Sequence, residues 1–344
     1  MELGISMFGD VGVDASVVKL SPAQRLNEML EQVKLADEVG LDVFEVGEHH
    51  REDYAVTSPQ IFLSAAAAIT KNIKLGSAVT VLSSTDPVRT YEDFAMVDNI
   101  SKGRVHIMAG RGSFIESFPL FGYDLNNYDV LFEEKLTMLL EIQQKRGMNV
   151  NWKGKFTQSL NNATVYPVTY QESIPVWIAV GGTPNSVLRA ARLGLPITFA
   201  IIGGAPYSFK PLVDYYKENY EHFGHDPAKM QLAINSHTFI GETNQIKDDY
   251  FPYYAAQINK IGRERGWSGL PKQTYLNTTD REGAYFIGEP SAIIDKILLQ
   301  HEWFGHTRFV AQMDVGSPSH SMMMKSIELF GTIVAPAVRK ALGK

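Results

Sequence analysis

The 344-residue chain contains no cysteine, which excludes disulfide bonds, thiolate metal sites and cysteine nucleophiles together, so any redox chemistry has to come from a bound cofactor. It also lacks an excess of basic charge, since 32 Lys and Arg against 38 Asp and Glu leave a formal charge of -6. That balance argues against nucleic acid and against an anionic membrane surface as partners. The richest apolar run, Ile61 to Ile69, is too short to span a bilayer and reads as a buried helix face. The amino terminus opens directly on an apolar strand with neither a basic n-region nor a small-residue cleavage site, so the expected compartment is the cytoplasm. There is no Walker loop, no Gly-x-Ser-x-Gly elbow and no His-Glu-x-x-His helix. Gly110-Arg111-Gly112-Ser113 starts like a dinucleotide fingerprint but lacks its third glycine, and strand one ends in Phe8-Gly9-Asp10-Val11-Gly12, which is not one either.

What is present is a regular alternation of strand and helix signals. Ser21-Pro22-Ala23-Gln24 is a capping box with proline at the first helical position, and Leu26, Leu30, Val33 and Ala36 follow at helical spacing up to Gly40. Strands are expected at 3–8, 42–46, 74–82, 104–109, 176–180, 197–202, 231–239 and 308–313, with helices at 59–70, 87–102, 128–145 and 184–193 between them. The last helix carries Met323, Ile327, Phe330 and Val334 on one face. Eight strands in a chain of this length, 44% of it apolar, predict an α/β fold: a single (β/α)8 TIM-barrel domain over residues 1–344. A hairpin excursion is expected near 147–171, and a mobile loop or ordered insertion near 262–288.

In such a barrel the catalytic groups gather past the carboxyl ends of the strands. Glu48-His49-His50 follows the second strand. Neighbouring residues of a strand point to opposite faces, so the two histidines do not share a ligand, which argues against a metal site; one of them faces the mouth. Val180-Gly181-Gly182-Thr183-Pro184-Asn185-Ser186 crosses from strand five into a helix, where free amides, the positive helix end and the hydroxyls of Thr183 and Ser186 suit an anion such as phosphate, although the same residues also fit a plain capped turn. Arg111 supplies a matching guanidinium. The small residues Ser77-Ala78-Val79 let a flat ligand lie against the third strand and are compatible with an unusual backbone there, even a non-proline cis bond. His222, His225, His301 and His306 are expected in solvent.

Taken in order, Gly47-Glu48-His49-His50, Leu75 to Leu82, Asp86-Pro87-Val88-Arg89, Ser101-Lys102-Gly103-Arg104, Gly110-Arg111-Gly112, Phe121 to Asn127, Gly181-Gly182-Thr183-Pro184 and Ser326 to Phe330 resemble the bacterial luciferase-like family of flavin-dependent monooxygenases along nearly the whole chain. The resemblance implies a barrel oxidoreductase that uses reduced FMN and dioxygen through a C4a-peroxyflavin to oxygenate a small organic substrate. It also implies flavin delivered by a separate NAD(P)H-dependent reductase, and a homo-oligomer paired through helices of the amino-terminal half. By the same resemblance His49 is the active-site histidine and Ala78-Val79 flank a cis peptide beneath the flavin ring. Arg111, Ser113, Val180, Gly181, Gly182, Thr183 and Ser186 approach the cofactor. Two positions depart from the light-emitting members: Asp129 stands where they carry a second phosphate arginine, and Gly110 where they carry a reactive cysteine. A non-luminescent enzyme is therefore expected. The alternatives are a flavin-binding protein without turnover and an oxidoreductase that uses the deazaflavin F420 on the same barrel.

Overall fold

The computed structural model describes residues 1–12, 19–112 and 114–343. Eight parallel strands form a closed barrel: β1 (Glu2–Met7), β2 (Val43–Val46), β3 (Lys74–Ser77), β4 (Val105–Gly110), β5 (Val176–Val180), β6 (Ile197–Ala200), β7 (Leu232–Ile240) and β8 (Arg308–Gln312). Each pairs with the next, and β8 returns to β1 in the register Glu2↔Arg308 through Ser6↔Gln312. Helices wrap the outside: α1 (Pro22–Glu38), α2 (Pro59–Ile69), α3 (Pro87–Ser101), α4 (Tyr128–Lys145), α5 (Pro184–Leu193), α6 (Lys210–His222), α7 (Pro290–Phe304) and α8 (His320–Leu329). This is the TIM barrel expected from the sequence.

Local chemistry explains the boundaries. Ser21 accepts a hydrogen bond from the Gln24 amide at the start of α1, and Asp86 accepts from Arg89 at the start of α3, each satisfying an amide that the helix itself leaves unpaired. The third strand differs from its expected 74–82 span. It stops at Ser77, the Ala78–Val79 peptide is cis, and Thr80–Val81 resumes as a short strand paired with β4.

The hairpin excursion is present as an antiparallel pair, Val150–Trp152 with Leu160–Ala163. The insertion is ordered and begins earlier than the composition suggests. After β7 come a helix at Ile246–Glu264, a second at Lys272–Thr278, and a short strand Phe286–Gly288 added parallel to the far end of β7. The run His320–Ala341 is long and apolar enough to cross a bilayer by composition, yet its apolar face, with Met323, Ile327, Phe330 and Val334, is buried in the core as the sequence pattern predicts.

The amino-terminal end of the barrel interior is filled by a buried ionic cluster. His106 Nε2 lies 2.9 Å from Glu45 Oε1, Arg308 bonds Glu2 and reaches Glu45, and its guanidinium sits 4.1 Å above the Trp177 ring. The His106 ring occupies space that only a glycine at 76 leaves open, since a β-carbon there would come within 2.1 Å of Nε2. Gly76→Ala is therefore expected to overpack the barrel and cost about 1–3 kcal/mol of stability. Urea denaturation reads this, and an unchanged midpoint would count against the packing described.

Candidate active site

A cavity of about 680 Å³ opens at the carboxyl ends of the barrel strands. Every strand contributes: Phe8 just past β1, His49 past β2, Ala78 and Val79 past β3, Met108 and Gly110 on β4, Ala179 and Val180 on β5, Thr198 and Ala200 on β6, Asn235 and His237 on β7, and Gln312 on β8. Of the residues singled out from sequence, His49, Ala78, Val79, Arg111, Val180, Gly181 and Ser186 line this one cavity. Gly182 and Thr183 continue the same strand-to-helix turn at its rim, and Ser113 falls outside the described residues.

The two adjacent histidines part to different sides, although both lie past the end of β2. His49 lines the cavity, whereas His50 faces a separate groove of about 500 Å³ flanked by α2 and α3. Glu48 ties the two sides together, with Oε1 3.0 Å from His50 Nε2 and Oε2 accepting from the Val81 amide at 2.9 Å. His49 is packed by three rings, Tyr54 at 4.3 Å, Phe8 at 4.8 Å and Phe114 at 5.3 Å between centroids. Burial pushes its pKa down to about 3, so the imidazole is neutral at physiological pH, and its Nε2 has no hydrogen-bond partner. A neutral, unpaired ring nitrogen inside an apolar clamp can take or give a proton at one atom.

At the other side of the mouth, α5 begins with Thr183 as its N-cap, but the threonine hydroxyl bonds Ser186 Oγ at 2.9 Å instead of capping the helix. Among the described residues the amides of Gly182, Thr183 and Asn185 donate to no other group. A β-carbon at Gly181 or Gly182 would meet nothing within 4 Å, and Gly182 has φ +127°, a conformation that side chains disfavour. The result is an open nest of donors on the positive end of a helix, fitted to phosphate. Arg111 lies at the same rim, but its Nη1 is held by Asp129 Oδ1 at 2.5 Å while the guanidinium sits 4.8 Å from the Tyr128 ring centroid. The one arginine expected to meet an anion thus carries a competing carboxylate.

Sequence reasoning did not single out Asp10, Tyr54, Asn235, His237 and Gln257, which also line the cavity. The only signal for one pair was weak: Asn235 and His237 are two residues apart and so share a strand face, but they sit in the polar run Asn235-Ser236-His237-Thr238, which does not mark which face is inward. His237 Nδ1 is 2.7 Å from the Tyr254 hydroxyl, and burial pushes its pKa down to about 4. The expectation for the remaining histidines needs correction at His306, which is buried, and at His225 and His301, which are half-buried with a ring nitrogen bonded to the Arg192 and His306 carbonyls respectively; His222 is exposed as expected. Among the described residues no His, Asp or Glu cluster has the arrangement of a metal site.

A closed parallel barrel with a ligand-sized cavity at its strand ends has the architecture on which barrel enzymes build their sites. The chain belongs to the luciferase-like monooxygenase family, whose model matches residues 1–307. It is 24% identical over 326 residues to the alkanal monooxygenase alpha chain of Aliivibrio fischeri, covering 88% of this chain and 90% of that one. The structure is similar to the monooxygenase RslO1 of Streptomyces bottropensis, with a TM-score of 0.85 at 23% identity over 98% and 99% of the two chains. The oxygenating constituent of 3,6-diketocamphane monooxygenase of Pseudomonas putida, solved in complex with FMN, superposes with a TM-score of 0.80 at 17% identity over 98% of each chain. An F420-dependent secondary alcohol dehydrogenase shares the fold with a TM-score of 0.74 at 19% identity, over 98% of this chain and 100% of that one.

Burial of these neutral groups sets the pH dependence of stability. His49, His237 and His306 have pKa values near 3, 4 and 3 in the fold against 6.5 when free, so below about pH 6.5 the unfolded chain binds more protons. Asp10, raised above its free value of 3.8, opposes this with one proton bound preferentially by the fold. Stability is expected to fall between pH 6.5 and 4.5 by roughly 1–3 kcal/mol per pH unit. Urea midpoints measured across that range read it, and a flat or rising profile towards acid would contradict the burial.

Proposed function

We propose that residues 1–344 act as one barrel domain that uses reduced FMN and dioxygen to oxygenate a small organic substrate, the flavin being reduced by a separate NAD(P)H-dependent reductase. The observation that carries this reading is the presence, in one cavity, of a neutral and unpaired His49 Nε2 and the open amide nest of α5 beside Arg111. Family membership supports the reaction class.

The residues present fit a phosphorylated flat cofactor. Gly181, Gly182, Thr183 and Ser186 would hold the phosphate through amides and hydroxyls, with Arg111 adding charge. Val180 and the small side chains Ala78 and Val79 leave a wall against which a ring can lie. Ser113 is assigned to the same group by family resemblance alone. When bound, reduced FMN supplies the electrons for activation of dioxygen. His49 holds or moves a proton at Nε2, and its neutrality keeps uncompensated charge out of the cavity. Phe8, Tyr54 and Phe114 exclude water around that nitrogen. The exposed apolar side chains Ile61 on α2 and Met96 on α3 support pairing of two copies through that face.

Titration of the purified protein with oxidised and reduced FMN, and in parallel with F420, tests the cofactor. The reading expects reduced FMN to bind tightest, and a preference for F420 would replace it with hydride transfer. Asp129→Asn frees Arg111 and is expected to tighten FMN by about threefold to fivefold, the scale of an exposed ion pair, while riboflavin, which has no phosphate, is unaffected. Equal effects on both flavins would remove Arg111 from phosphate binding. After mixing with oxygen, the reduced FMN complex of His49→Ala is expected to release hydrogen peroxide about tenfold faster or more than the unaltered protein. The same rate in both would take His49 out of the chemistry, and a rate equal to that of free flavin in the unaltered protein would favour binding without turnover.

A further inference from the structure

One wall of the cavity carries three buried side chains whose hydrogen-bonding capacity is only partly used. Asp10 follows β1, is 2% exposed and lines the cavity. Its Oδ2 accepts from the Gly316 amide at 2.9 Å, while Oδ1 has no partner. The neighbouring Asp314 is differently placed, because it accepts from the Phe8 and Gly9 amides and pairs with Arg25 at 2.9 Å. Arg25 thus pairs directly with Asp314, and its charge offsets the effect of burial on Asp10 only in part. Burial, with Asp314 beside it, holds the Asp10 carboxyl in its protonated form well above the usual carboxylate range. A protonated carboxyl with one oxygen committed to an amide offers its O–H from the other.

Gln257 comes from the helix Ile246–Glu264 and is 1% exposed. Its Nε2 donates to the Tyr54 hydroxyl at 2.9 Å and to Asp53 Oδ2 at 3.2 Å. Asp53 is a pure acceptor, held ionised by Arg51, so the amide cannot be turned around. Oε1 is therefore an acceptor by necessity, and it has no partner. Tyr54 accepts the Gln257 N–H and, buried against Asp53 and Asp10, stays protonated, which leaves its own O–H to donate. The three side chains, all of which line the cavity, hold two donors and one acceptor between them, all uncharged.

We propose that Asp10, Tyr54 and Gln257 form a subsite for an uncharged hydroxyl group on the substrate. A hydroxyl accepts two hydrogen bonds and donates one, which matches the set without remainder. A carbonyl leaves Gln257 Oε1 unpaired. A carboxylate meets that oxygen and the buried charge of Asp53. The cost of leaving such buried groups unsatisfied is what makes a site of this kind selective. The inference rests on reading the cavity as a cofactor site with substrate volume beside it, and it names the chemistry of that substrate's polar end.

Equilibrium dialysis of the full-length protein, with and without FMN, against 2-naphthol, naphthalene and 2-naphthylmethylammonium tests it. The unaltered protein is expected to retain 2-naphthol at least about tenfold more tightly than naphthalene, the worth of one good hydrogen bond to a buried site. Gln257→Met and Tyr54→Phe each bring naphthol down to the level of naphthalene. Asp10→Asn, whose amide still offers an N–H, keeps the preference. Equal retention of naphthol and naphthalene by the unaltered protein, a comparison that needs no variant, would overturn the proposal. So would strongest retention of the ammonium probe with its loss in Asp10→Asn, since that pattern marks an ionised Asp10. FMN binding in the same cells is read separately, so its absence would sink the flavin reading while the probe comparison still decides the subsite.

Discussion

The carboxylate of Asp314 is the constraint on which the mouth of this barrel depends. Placed just past β8, it gathers the amides of Phe8 and Gly9 from the exit of β1 and the guanidinium of Arg25 from α1. Both partners of the ion pair are nearly inaccessible to solvent. Such a pair is costly to bury, and removing one member leaves an uncompensated charge inside. What it secures is position. With β1 closed on β8 and its exit held by these bonds, Phe8 lies against His49, and Asp10 is brought beside a charge that keeps it from ionising.

Within the cavity His49 and His237 are kept unprotonated, and Asp10 and Tyr54 protonated, by burial and by their neighbours. Formal charge on its lining comes from Arg111, which pairs with Asp129, from Arg265, and from Glu48, whose oxygens are committed to His50 and the Val81 amide. An anionic cofactor tail would find its matching charge in Arg111 and its donors in the amides at the start of α5. The Arg111–Asp129 pair adds a constraint of its own, because an incoming phosphate competes with a carboxylate already in contact with the guanidinium.

Much of this was legible in the sequence wherever a local rule acts. Strand five, Val176–Val180, and the helix Tyr128–Lys145 are fixed by apolar period, and the helix Pro184–Leu193 also by proline at its first position and by Gly194 in a left-handed conformation at its end. The rim residues were legible for the same reason, because an amide nest needs glycines before a helix start. The apolar pattern of the third strand runs through to Leu82 and hides its end at Ser77, although the small residues Ser77-Ala78-Val79 and the family resemblance point to the cis bond at which it breaks. The helix Ile246–Glu264 escaped notice because it carries Pro252 in its interior and mixes aromatic with charged residues. With it went Gln257, which reaches the cavity only through tertiary packing. Asp10 and Tyr54 belong to no motif; an antiparallel bridge between their backbones brings them together across the intervening α1 and β2.

The central claim is that the amide nest of α5, Arg111, Ala78 and His49 serve one bound flavin. A crystal structure of the protein soaked with FMN tests it most directly. The account predicts the phosphate within hydrogen-bond distance of the Gly182 and Thr183 amides, and the ring against Ala78 and Val79 with one edge towards His49. FMN density with its phosphate elsewhere, or its ring in the groove beside His50, would contradict it.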